Sequence, residues 1–140
     1  MSLYSTLPIY NSVKKLSAGL IMVSRNIARN YVPISAKCIE LSVNLLSLIT
    51  RANRTTDPMR RVQVLNEFMI SYDTLESLIL LSAETGVIGK RALSRLCDLM
   101  ASIAKQGTAW KNETLKRAVV NGDESGTAQE GPCSLENDEP

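Results

Sequence analysis

The chain has 140 residues, 44% of them apolar, with 16 Lys plus Arg against 14 Asp plus Glu and no histidine. That length fits one domain around one core and excludes two, while the lack of histidine removes the commonest general base and the commonest metal ligand. The near-balanced charge conceals an asymmetry, because every basic residue lies between Lys14 and Arg117, a body whose balance is +8, whereas Asp123, Glu124, Glu130, Glu136, Asp138 and Glu139 give the remainder −6. A basic body with an acidic tail points to a polyanionic partner or to an internal electrostatic mask.

The elements follow from hydrophobic spacing. Ile9, Val13, Leu16, Leu20, Val23 and Ile27 step by four and three, which predicts an amphipathic first helix. Leu7-Pro8-Ile9-Tyr10 opens it, with Pro8 near the first helical position, where a missing N–H costs nothing. Its outer face carries Lys14, Lys15, Arg25 and Arg29, and the last two form an i,i+4 like-charge pair that is mildly destabilising unless an anion relieves it. Asn30, Tyr31, Val32 and Pro33 interrupt the pattern, since a residue before proline is pushed out of the helical region.

A second helix is expected from about Ser35 to Arg54. Ile39, Val43, Leu46 and Asn53 fall on one stripe, and Cys38, Leu41, Leu45, Leu48 and Ala52 on another beside it. Two apolar stripes need two neighbours, so this helix is expected at the centre of the core or against another subunit. It ends on Arg51 and Arg54, one turn apart, where exposed carbonyls favour cations. Capping electrostatics accounts for much of that pair; holding an anionic partner is the functional reading.

Thr55-Thr56-Asp57-Pro58 reads as a stop and a new start, with Asp57 as N-cap and Pro58 at the first helical position. Val62, Leu65, Met69, Tyr72, Leu75 and Ile79 then mark a third helix running to about Thr85 and closing at Gly86. After Gly89, Leu93, Leu96, Met100, Ile103, Gly107 and Trp110 mark a fourth. Lys90, Arg91 and Arg95 occupy its first turns, where positive charge opposes the helix dipole. Beyond Lys116-Arg117 the periodicity stops. The expected fold is all-α, an antiparallel up-down four-helix bundle over 1–117, followed by an acidic, disordered C-terminal tail over 118–140.

The three cysteines, Cys38, Cys97 and Cys133, are an odd number with no metal-ligand spacing, which argues for a reducing compartment and a cytoplasmic protein. Cys38 and Cys97 sit in apolar helical patterns and read as small buried hydrophobes. Lys14-Lys15 before LSAGLIMVS lacks the order and apolarity of a signal peptide, and no run approaches the roughly 20 apolar residues of a membrane span. Asp73 and Glu76 share a helical face, but an i,i+3 acidic pair among apolar residues is more often solvated than catalytic. With no phosphate loop, nucleophile elbow or Cys-x-x-Cys, the reading is a non-enzyme without catalytic residues, metal or cofactor.

Leu7-Pro8-Ile9-Tyr10, Arg25-Asn26 with Arg29 and Tyr31, Leu45-Leu46 through Arg51-Ala52-Asn53-Arg54, and Lys90 through Arg95-Leu96 to Gly107 and Trp110 stand in an order and spacing that resembles a known family. This is the Avd family, the accessory variability determinants of diversity-generating retroelements, whose superfamily also holds proteins encoded in intervening sequences of bacterial ribosomal RNA genes. The resemblance covers about Leu7 to Trp110. It implies a basic homopentamer of four-helix bundles that binds nucleic acid and the retroelement's reverse transcriptase, supporting mutagenic copying of a template RNA without performing chemistry. The chain departs from the family pattern at Ala28-Arg29-Asn30-Tyr31, where relatives often have proline followed by arginine and an acid, and in its acidic tail.

Both lines of reasoning meet in Arg25, Arg29, Arg51, Arg54, Arg60, Arg61, Lys90, Arg91 and Arg95. These residues lack interleaved aromatics, so contact with the phosphates of RNA or DNA is favoured over base stacking. A solvated helical surface is the competing account of each residue, and a helical protein–protein interaction module without nucleic acid is the competing account of the whole.

Overall fold

The computed structural model describes residues 7–124, the side chains of 121–124 excepted. It contains four long helices: α1 (Pro8–Ser24), α2 (Val32–Arg54), α3 (Pro58–Glu84) and α4 (Lys90–Glu124). A 3₁₀ turn, Arg29–Tyr31, leads into α2. Each of α1, α2 and α3 starts with a proline in its first turn, the position at which proline removes no helical hydrogen bond.

Short connections make successive helices antiparallel neighbours. α1 packs on α2, α2 on α3, α3 on α4 and α4 back on α1, whereas the diagonal pairs are not in backbone contact among the described residues. The four helices therefore form a square bundle. At least one polar bond crosses each of its four seams. The Ser17 hydroxyl donates to Ser42 Oγ at 2.8 Å between α1 and α2, and Asn44 Nδ2 meets Ser71 Oγ at 3.4 Å between α2 and α3. Between α3 and α4 the Tyr72 hydroxyl donates to the Met100 carbonyl at 2.8 Å, and Gln106 Nε2 donates to Ser12 Oγ at 3.0 Å between α4 and α1.

The centre holds Val13, Leu16, Leu45, Ile49, Leu65, Phe68, Leu75, Ile79 and Ile103. Phe68 sets the closest approach of α3 and α4: a Cβ at Gly107 would stand 3.2 Å from its ring and 3.0 Å from Met69 Sδ, so a residue larger than glycine would force a side chain to move. Burial pushes the Tyr72 phenol well above its ordinary range, Glu76 and Asp73 adding to the shift. The same cause raises the Cys38 thiol.

Several boundaries differ from the sequence reading. α2 begins at Val32, three residues before Ser35, because Pro33 stands inside its first turn and does not break it. Of the two stripes on α2, the Cys38–Leu45–Leu48–Ala52 stripe is buried; Val43, on the other, is 50% exposed. α4 runs on to Glu124, past Arg117, and Ala118 is buried, so the bundle ends later than 117. The rest of the expected acidic tail, 125–140, lies outside the described residues, as does Cys133. The segment 29–54 also proves long and apolar enough to cross a membrane by length and composition, its most apolar window reaching a mean hydropathy of 1.5. This helix packs between α1 and α3, which bury 33% of that window, Ser35 and Ser42 being among its buried side chains.

Candidate nucleic-acid interface

The short connection 55–57 turns α2 into α3 and is built almost wholly from caps. The backbone N–H of Thr55 reaches the Arg51 and Ala52 carbonyls at 3.1 and 3.2 Å, and its hydroxyl donates to the Arg51 carbonyl at 2.7 Å. On the other side Asp57 caps α3, its carboxylate accepting the Arg60 N–H at 3.1 Å. Arg61 ties the two helices together. Its Nε donates to the carbonyls of Ala52 and Thr55, both at 3.0 Å, adding a second donor to Ala52 beside the Thr55 N–H and supplying one to the carbonyl just past the helix end. Burial lowers the pKa of this guanidinium, and the nearby Arg117 charge lowers it further.

Around that turn Arg51, Arg54 and Arg60 line an open cleft of about 490 Å³ together with Thr55, Thr56, Gln63, Val64 and two carboxylates, Asp57 and Glu67. Arg51 pairs with Glu67 across the α2–α3 seam. Among the described residues Arg54 and Arg60 have no carboxylate partner. Arg54 at the C-terminus of α2 is favoured by the helix dipole; Arg60, in the first turn of α3, is not. A cation held at the positive end of a helix is an arrangement that a bound anion would relieve. Beside the cleft, Lys116 and Arg117 of α4 flank Pro58 together with Glu113 and Val120.

The remaining predicted residues lie at the other end. Arg25 follows the last residue of α1, Arg29 sits in the 3₁₀ turn, and Lys90, Arg91 and Arg95 occupy the first turns of α4. All five are exposed and, among the described residues, none has a carboxylate partner. Arg95 borders a hollow of about 380 Å³ lined with Met22, Val23, Ile27, Val87 and Ala92, a more apolar setting than the Arg51–Arg60 cleft. The length of α2 separates the two groups by roughly 35 Å at 1.5 Å per residue.

The nine residues singled out in the sequence thus form two sites, four at one end and five at the other. Within the first, Arg61 stands apart from the expectation because its Nε serves the end of α2. Its tertiary bonds have no sequence signature, and neither has the Arg51–Glu67 pair, whose members are 16 residues apart. Gln63, Thr56, Lys116 and Arg117 were also not read from the pattern. The basic pair 116–117 was visible as charge; what was hidden was that α4 outruns α1 and brings it beside Pro58. Among the described residues no three His, Cys, Asp or Glu side chains gather as a metal site would require.

No protein-family model matches the chain, and neither a curated protein nor a solved structure matches it.

Proposed function

We propose that this chain is a non-catalytic accessory protein of a diversity-generating retroelement, binding nucleic acid through its basic ends and docking a reverse transcriptase on its body. The observation that carries the nucleic-acid part is the cleft at the α2–α3 turn, where three guanidinium groups face one open space and only Arg51 is neutralised by a carboxylate. Guanidinium groups match phosphate geometry, and a concave site lets several of them meet one backbone. The family resemblance supplies the polymerase and the template RNA.

The proposal includes a homo-oligomer, five-fold by that resemblance. Support comes from α3, where Met59, Ile70 and Leu81 recur every 11 residues on one outward side and are 59%, 67% and 50% exposed. A second copy of the chain would cover such a stripe, and closed symmetry would repeat the arginine cleft around the assembly. The test is co-expression with the reverse transcriptase encoded beside the gene, followed by purification and light scattering. The reading expects a complex of the two proteins carrying RNA and an oligomeric mass. A monomer that retains neither polymerase nor RNA would leave the plain interaction module in its place.

A further inference from the structure

We infer that the Arg51–Arg54–Arg60 cleft is also the docking site for the chain's own acidic segment, residues 125–140, which the cleft receives as a carboxylate-rich peptide. The segment carries Glu130, Glu136, Asp138 and Glu139 and no basic residue. Three features of the fold select the cleft over the opposite basic end.

The first is where the chain leaves the bundle. α4 runs beside Pro58 through Glu113, Lys116, Arg117 and Val120 and reaches its last residue, Glu124, only about 6–10 Å further along its axis. The acidic segment therefore starts at the end of the molecule that holds Asp57 and Arg60. The second is reach. Lys90 lies about 50 Å from Glu124 along α4. A chain spans at most about 3.3–3.6 Å per residue, so Glu130, six residues on, covers about 20 Å and even Glu139 would need nearly full extension to meet Lys90 or Arg91. The cleft falls within reach of all four carboxylates.

The third is charge. Arg54 and Arg60 have no carboxylate partner among the described residues, and Lys116 and Arg117 of α4 stand by Pro58, the residue after Asp57 of the cleft. Tethering over so short a span raises the effective concentration of the segment to the millimolar range, so weak exposed ion pairs suffice for occupancy. Salt loosens the docking, because exposed pairs are screened over about 8–10 Å at physiological ionic strength. The docked segment would occupy phosphate-binding groups, which makes the cleft self-masking. A dense polyanion displaces the segment and a lone anion does not.

The test uses the full chain free of nucleic acid, so that its outcome is independent of the proposed nucleic-acid role. A nitroxide is placed on Cys133 of a Cys97→Ala variant, the remaining Cys38 being buried in the core. At low salt, amide signals of residues 51–63 should lose intensity while those of 25–31 and 85–95 keep theirs. Replacing all four carboxylates (E130Q, E136Q, D138N, E139Q) should restore the signals, as should R54E with R60E. The same four-carboxylate variant should bind inorganic tripolyphosphate roughly two- to tenfold more tightly at low salt, the gain expected from removing a competitor at comparable effective concentration. Signals at 51–63 that keep full intensity, or that are lost equally without the four carboxylates, would overturn the inference.

Discussion

The two ends of the bundle carry similar charge and are built in opposite ways. At the α2–α3 end three residues connect the helices and three side chains fasten the turn: Thr55 closes α2, Asp57 caps α3 and Arg61 bridges them. At the other end, the 3₁₀ turn and α2 begin without a side-chain cap, and the α3–α4 turn combines Gly86 at φ 82° with a Thr85 hydroxyl that closes α3 on the Leu81 carbonyl as Thr55 closes α2, with no side chain bridging the two helices there among the described residues. The difference teaches that a rigid basic cleft and a basic surface are distinct objects. At the first end one short turn fixes where Arg51, Arg54 and Arg60 leave the backbone; at the second the cations are spread over the end of α1, the 3₁₀ turn and the first turns of α4.

That contrast can be broken most forcefully at Arg61. Arg61→Ala should cost about 1.5–3 kcal/mol, the range for hydrogen bonds from a charged donor, because the Thr55 carbonyl loses the bond from Arg61 and the Ala52 carbonyl is left with the Thr55 N–H alone. Chemical denaturation of the variant measures it, and a loss below half a kcal/mol would show that water replaces the bridge. At the opposite end Gly86→Ala should cost about 1–2 kcal/mol: an added Cβ meets nothing within 4 Å, so the penalty is that of a left-handed backbone conformation alone. Asp57→Ala should follow at about 1 kcal/mol, with Asp57→Asn recovering most of it, as for an N-cap.

The smallest change sharpens the comparison by reversing sign. Lys90 and Arg91 stand in the first turn of α4, so replacing both with Gln should leave stability unchanged or raise it by about 0.3–1 kcal/mol through the helix dipole. Thermal melts at low and high salt read this out, the gain shrinking as salt is added. A clear loss of stability would mean that these cations hold the α3–α4 turn together and are not a free surface.

Much of this was legible before the fold was seen, for reasons that are local. Pro8, Asp57-Pro58 and Gly86 announce helix ends through the backbone angles and hydrogen bonds that they permit, and the stripes at spacings of three and four specify which faces meet. Phe68 escaped because the third stripe was read through its neighbour Met69; in the structure Phe68 is fully buried and Met69 lies at the edge. The start of α2 differs for an equally local reason, since the residue before a proline usually avoids the helical region, whereas Val32 adopts it at φ −57° and ψ −39°. The cleft was legible only as charges. Arg51 and Arg60 are close because the turn is short, and Arg61's bonds to Ala52 and Thr55 depend on the angle at which α3 leaves that turn, which no periodicity encodes.

The most direct test of the central claim, that phosphates are held at the α2–α3 cleft, is a salt titration of RNA binding by the full chain, by Arg54→Ala with Arg60→Ala, and by Arg25→Ala with Arg29→Ala. Each lost phosphate contact removes about 0.7–0.9 from the slope of log affinity against log salt. The account predicts that the Arg54/Arg60 variant flattens the slope by about 1.4–1.8 and weakens binding at every salt concentration. It predicts a smaller change for Arg25/Arg29, which stand just past the end of α1 and in the 3₁₀ turn, at the opposite end from the cleft. Equal slopes for the wild type and the Arg54/Arg60 variant would contradict it.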